Sequence, residues 1–279
     1  MDNSFSWNLL TDLQNMWQYD FMRHAFEAGT IVAVVAGIIG YFVVLRRSAF
    51  AAHALSHVGF AGAAGAVLIG VNPIAGLLVF TSAGGLTMAA LGRRAANRDT
   101  QVGIVLSFML GLGVLFISLY KGYATEAYSI LFGQILGISS GDVLVTLVAG
   151  LVVITAMVFI FRPLLLASLD EDVAEAKGLP VAALGLGFML LIAVAVSIAV
   201  QVVGVLLIFA LMVTPAAIAE RTTHTAARGV IVAVIVALLV TWFGLFAAYY
   251  LSYPVSFFIT SSVFVAYVLV RLRQARRLT

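Results

Sequence analysis

The 279-residue chain has no cysteine, and only 10% of its residues are charged. The first absence excludes disulfide frameworks, thiolate metal sites, iron–sulfur clusters and cysteine nucleophiles, so any metal must meet nitrogen or oxygen. The second absence excludes an ordinary soluble domain, where about a quarter of residues are charged. Proline is scarce as well, at 5 residues, so long uninterrupted helices are permitted. What fills the space is apolar: 63% of residues are hydrophobic and the mean hydropathy is +1.14. That much apolar side chain must face lipid, and the chain reads as an all-α polytopic membrane protein. Its net charge of +3 orients a membrane chain rather than pointing to nucleic acid, which is not expected as a partner.

A helix needs about 20 mostly apolar residues to cross the hydrocarbon core. Uncharged runs of that size lie near 28–45, 51–70, 73–92, 101–120, 143–161, 180–200, 203–219, 229–250 and 254–270. The stretch 180–219 is too long for one crossing, so a break near Gln201 and Gly204 is required, and eight or nine spans result. With nine spans and the amino terminus outside, Arg46, Arg47, Arg93, Arg94, Arg98, Arg162, Lys177, Arg221, Arg228, Arg271, Arg273, Arg276 and Arg277 are cytoplasmic. Only Arg23 and Lys121 fall outside, as the positive-inside rule requires, and the carboxyl terminus is cytoplasmic. Residues 1–27 lack the pattern of a secretory signal. Trp7, Leu10, Leu13, Trp17 and Phe21 recur there at helical spacing, which predicts an amphipathic extracytoplasmic segment that anchors the chain or docks a partner. Residues 28–270 form one transmembrane domain, and 271–279 a basic tail.

The second span opens with AAHALSHVGF, placing His53 and His57 four residues apart on one helix face. At that spacing both imidazoles can meet one cation, and ionisable side chains within a span tend to line a cavity or pathway. The same pair could instead be neutral histidines hydrogen-bonded between packed helices. Two nitrogens are too few for a closed zinc site, so a transient site completed by water or a second subunit is the expected form. Ser56 lies beside the pair, either as a hydrogen-bond support or in ordinary packing. Gly59, Gly62, Gly65, Gly70, Gly76, Gly84, Gly85 and Gly92 allow close helix approach in this region.

Between the fifth and sixth spans, residues 168–178 read as a short cytoplasmic helix. Ser168 is its expected cap with Glu171 three residues on, and Lys177, Gly178 and Pro180 mark its close. It is either a solvated loop helix or a seat for a cytosolic partner. Pro215 predicts a bend or a packing kink in the seventh span. The chain carries no ATPase of its own: a phosphate-binding loop needs lysine directly after glycine, and Lys121 and Lys177 follow Tyr120 and Ala176. No H-E-x-x-H, no G-x-S-x-G and no clustered intramembrane carboxylates occur, so an enzyme is not expected. Glu27 and Asp142 sit at span ends on the outer side, lining a vestibule or simply solvated.

Three segments, VVLRRSAFAAHALSHVGFAGAAGA, PLLLASLDEDVAEAKGLPV and QVVGVLLIFALMVTPAAIA, resemble the integral-membrane permeases of ABC importers for zinc, manganese and iron. Weaker likeness runs through ILFGQILGIS. The resemblance implies a type II importer-like transmembrane domain in the bacterial plasma membrane. It also implies two permease subunits, in a homodimer, with two cytosolic ATP-binding-cassette ATPases and an extracytoplasmic metal-binding protein. No permanently bound cofactor is implied, only the transported ion. The family's second-span aspartate and histidine align with His53 and His57, so His53 departs from the pattern. Imidazole in place of carboxylate favours zinc over manganese. The resemblance further implies that Ser168, Asp170, Glu171, Glu175 and Gly178 belong to the segment that couples to the ATPase. A secondary transporter or channel is the alternative, and it would be expected to carry further intramembrane carboxylates.

Overall fold

The computed structural model describes residues 16–91, 98–120, 133, 135–251 and 253–275. Helices account for nearly all of them: α1 Asp20–Leu45, α2 Ala49–Leu68, α3 Pro73–Leu91, α4 Arg98–Leu119 and α5 Ser140–Leu169. The short α6, Glu171–Ala176, is followed by α7 Val181–Val203, α8 Val205–Thr222, α9 Ala226–Tyr250 and α10 Val255–Ala275. A single 3-10 turn, Ile135–Gly137, precedes α5. Eight of these helices, all but α6 and α8, are long and apolar enough to cross a membrane. The 18 residues of α8 extend about 27 Å at 1.5 Å per residue, close to the thickness of the hydrocarbon core. They run from the Gln201 end of the bundle to the opposite end, where the Gln274 amide donates to the Arg221 carbonyl at 2.7 Å.

The apolar windows of α1 and α2 are 67% and 72% buried, against 17% for α4 and α10. The helix that carries both histidines is therefore central, and α4 and α10 face the surroundings. Around α2 pack α3, α4, α7 and α8, while α1 contacts α5, α7, α8 and α9. With no apolar driving force between helices in lipid, close van der Waals approach must hold the bundle. Gly62 and Gly76 supply it: a Cβ on either would strike the carbonyl of the other. Buried polar groups tie neighbours as well, Thr81 of α3 sharing a 2.7 Å hydrogen bond with Ser197 of α7. Gly62→Ala is expected to destabilise the subunit by about 1–3 kcal/mol, the cost of overpacking. Thermal unfolding in detergent checks this against Gly103→Ala, a position where a Cβ meets nothing within 4 Å.

Element boundaries differ from expectation in two places. The first span begins at Asp20 rather than near 28, absorbing the latter part of the segment read as a separate amphipathic region. Trp17 stacks on Phe26 at 5.9 Å, whereas Trp7, Leu10 and Leu13 lie outside the described residues. The fifth span continues past 161 through Arg162 and Pro163 to Leu169. The break expected near Gln201 and Gly204 is found there: Gly204 has φ +84° and ψ 164°, a conformation open to glycine, and it separates α7 from α8.

Candidate functional site

The α2 helix forms from an alanine-rich sequence with strong intrinsic helix preference. On it, the rings of His53 and His57 meet edge-on with centroids 4.8 Å apart and planes at 86°. Phe209 of α8 closes one side, its centroid 4.9 Å from His53. Both histidines are partly exposed, in a helix whose other side chains are mostly buried. The hydroxyl of Ser56 donates to the His53 carbonyl at 2.7 Å, so Ser56 serves the helix backbone and not the imidazoles.

The Nδ1 atom of His53 is buried and has no hydrogen-bond partner. An unsatisfied buried ring nitrogen is costly in a structural histidine and useful in a ligand. Two nitrogens on one tetrahedral zinc are separated by roughly 3.3 Å, a spacing that neighbouring imidazoles at i and i+4 reach by side-chain rotation. Among the described residues, no group of three or more His, Asp or Glu side chains gathers around a common point. As metal donors the pair would form an open set, able to hold a passing ion rather than a resident one.

Near the carboxyl end of α1, Asp170 rather than Ser168 caps α6: its Oδ1 accepts from the Val173 amide at 2.9 Å. Ser168 remains inside α5, where its hydroxyl donates to the Leu164 carbonyl and accepts from Arg46 Nη1 at 3.1 Å. The same guanidinium lies 5.8 Å over the Phe188 ring of α7. Gly178, at φ +76°, ends α6 with paired bonds from Gly178 N to Glu175 O and from Leu179 N to Ala174 O. Ala174 is fully buried against Ala167 and Val181, while Glu171, Asp172 and Glu175 are exposed. Of the expected coupling residues, Asp170, Glu171, Glu175 and Gly178 therefore belong to one short, anchored acidic element, while Ser168 belongs to α5. Pro215 is buried inside the continuous α8. There it removes the amide that would bond the Leu211 carbonyl.

Sequence reasoning missed Phe209 and Arg46 because their roles are tertiary contacts between distant segments. It also left Asp142 between a vestibule and simple solvation. Asp142 in fact completes a capping box with Ser139 and accepts from Gln201 Nε2 at 2.9 Å. Gln201 stood out as an amide in an otherwise largely apolar run, the one signal available. Glu27 is exposed and borders an apolar groove with Trp17 and Trp242.

A bundle of membrane-spanning helices around a central histidine-bearing helix, with most of its described basic residues toward one end, is the architecture of a membrane transport protein. The chain belongs to the ABC 3 transport family, whose sequence profile matches residues 18–274. It is the permease subunit of a metal ABC importer and a multi-pass protein of the bacterial inner membrane. The chain is 32% identical over 222 residues to the manganese transport system membrane protein MntC of Listeria monocytogenes, covering 79% of each chain. To the manganese import system permease protein ScaB of Streptococcus parasanguinis it is 31% identical, covering 90% of this chain and 91% of the other. The solved PsaBC structure from Streptococcus pneumoniae, in complex with Fab, superposes with a TM-score of 0.84 at 26% identity. It covers 94% of this chain and 95% of that one.

Proposed function

We propose that this permease carries a first-row divalent metal ion, zinc or manganese, across the membrane over His53 and His57. In this reading the ion comes from an extracytoplasmic metal-binding protein. Two separate ATP-binding-cassette ATPases supply the energy, and the arginine-rich end of the bundle faces the cytoplasm. The observation that carries the reading is the half-buried imidazole pair with an unpartnered Nδ1, on the central spanning helix. A second copy of the subunit would raise the donor count from two imidazoles to four, enough for a tetrahedral ion.

The metal's identity divides on two observations. The nitrogen donor set supports zinc, because imidazole suits zinc while carboxylate and water suit manganese. The relatives MntC and ScaB are both named for manganese, which supports the second reading. Reconstitution with the ATPase and binding protein in proteoliposomes tests both, with uptake of zinc and manganese measured separately and in competition. Uptake is expected to require ATP; uptake that persists without nucleotide would replace the importer reading with a secondary transporter or channel. His53→Asp is expected to shift the zinc-to-manganese preference toward manganese by roughly tenfold, the scale on which changes around a metal act. An unchanged ratio would remove His53 as a selectivity element.

A further inference from the structure

At the end of the bundle opposite Arg46 lies a cavity of about 560 Å³, bordered by Asn72, Tyr120, Asp142 and Gln201. The carboxyl ends of α2 and α7 converge on it through Val67 and Val200. Each brings the partial negative charge of its terminal carbonyls. The amino ends of α3 and α5 bring the opposite sign, but Asn72, whose Oδ1 accepts from the Ile74 amide at 2.8 Å, and the α5 capping box answer that charge locally. Asp142 Oδ2 accepts there from the Ser139 amide at 3.1 Å and from the Ser139 hydroxyl at 2.7 Å. No basic side chain lines the cavity among the described residues.

The Gln201 amide has one orientation available. Its Nε2 donates to Asp142 Oδ1, since reversing it would set two oxygens against each other. Its carbonyl oxygen Oε1 is buried and without a partner. Leaving such an acceptor unsatisfied costs about 1–3 kcal/mol, a cost that a cation or its bound water removes. One carboxylate and an unpaired amide oxygen make a hard-oxygen environment, with Asp142 the single charged side chain among the described lining residues.

We propose that this cavity is a second cation site, where the divalent ion is held by Asp142 and the Gln201 carbonyl oxygen before it reaches the histidines. The proposal rests on the import reading above for its place in transport. Along α2, Val67 stands ten residues beyond His57, about 15 Å away at 1.5 Å per residue. Leu77 lies between, bordering the cavity and filling the space above Gly59, two residues from His57. It is buried at 3% exposure. The ion held in the cavity is thus separated from the imidazole pair by an apolar floor. With a single carboxylate the site holds its ion weakly, so capture does not prevent release.

Binding of Mn²⁺ to the purified full-length subunit, followed by the loss of the free-ion electron paramagnetic resonance signal, tests the site. The His53→Ala, His57→Ala background removes the imidazole pair. That variant is expected to retain one saturable Mn²⁺. Adding Asp142→Asn, whose carbonyl oxygen can keep the helix cap, should weaken binding at least tenfold. Gln201→Leu, which leaves the capping box intact, should do the same, so the test does not depend on one variant folding. Absence of saturable binding in the double-histidine background, or binding unchanged by both substitutions, would overturn the proposal. In the reconstituted complex Asp142→Asn should raise KM for uptake and leave kcat near wild type. If wild-type complex moves no metal, the import reading fails by itself, while the Mn²⁺ titration still decides the cavity.

Discussion

His57→Ala is expected to reduce metal uptake by at least about 100-fold, the upper range for disturbing a metal's surroundings, while the subunit still assembles in the membrane. The reason lies in how few donors the path offers. Among the described residues no third His, Asp or Glu joins the pair, so losing one imidazole leaves a protomer with a single nitrogen. Assembly should survive because His57 is partly exposed and its ring lies against His53 rather than in the packed seam of Gly62 and Gly76. His57→Gln separates the two roles further: it preserves bulk and hydrogen bonding but is a poor ligand for zinc, and should be as inactive as alanine. His224→Ala, at an exposed position between α8 and α9, should transport normally. Initial rates of ATP-driven uptake, with subunit recovery measured in parallel, check all three. Normal saturable uptake by His57→Ala would remove the pair from the path.

The histidine face was legible in the sequence because it depends only on the i, i+4 geometry of one helix. The spans were legible for the same reason, since their signal is a local run without charge. Where the runs misplaced an end, the cause was a charge or a proline inside a helix. Asp20, Arg23 and Glu27 all lie within α1, where the chain meets the polar interface and charge costs little. Pro163 sits within α5 without ending it, because the lost bond is only one in a helix of 30 residues. Ser168 matched the capping pattern, yet Asp170 satisfies the same amide requirement and Ser168 is engaged by Arg46. Contacts such as Phe209 on His53 or Gln201 on Asp142 join residues far apart in the chain. No spacing rule encodes them. Gly204 falls between these cases: the length of residues 180–219 demanded a break, and only glycine adopts its dihedrals with ease.

Reversing charge at Glu171 and Glu175 together is expected to uncouple the ATPase from transport, lowering uptake at least about tenfold while ATP hydrolysis continues. The two side chains are four residues apart on α6 and so share a face. Exposed Val173 and Leu169, at 42% and 68%, add apolar surface beside the acids, the mixture that suits a protein partner rather than bare solvent. The proposed coupling also needs a rigid link into the bundle, and the contacts provide one. Ala174 seats α6 on Ala167 of α5 and Val181 at the start of α7. Ser168 near the end of α5 is bonded to Arg46 just after α1, and Arg46 covers Phe188 on α7. A displacement of α6 therefore reaches three helices, including α1, which packs along α8. Glu171→Lys with Glu175→Lys leaves the Asp170 cap in place, so α6 should persist; Asp170→Ala would cost about 1 kcal/mol of helix stability and confuse the result. ATP hydrolysis and metal uptake measured on the same proteoliposomes distinguish the outcomes. A wild-type ratio of ions moved to ATP hydrolysed would make α6 a solvated loop helix. Loss of uptake with hydrolysis retained would place the mechanical connection at this acidic face.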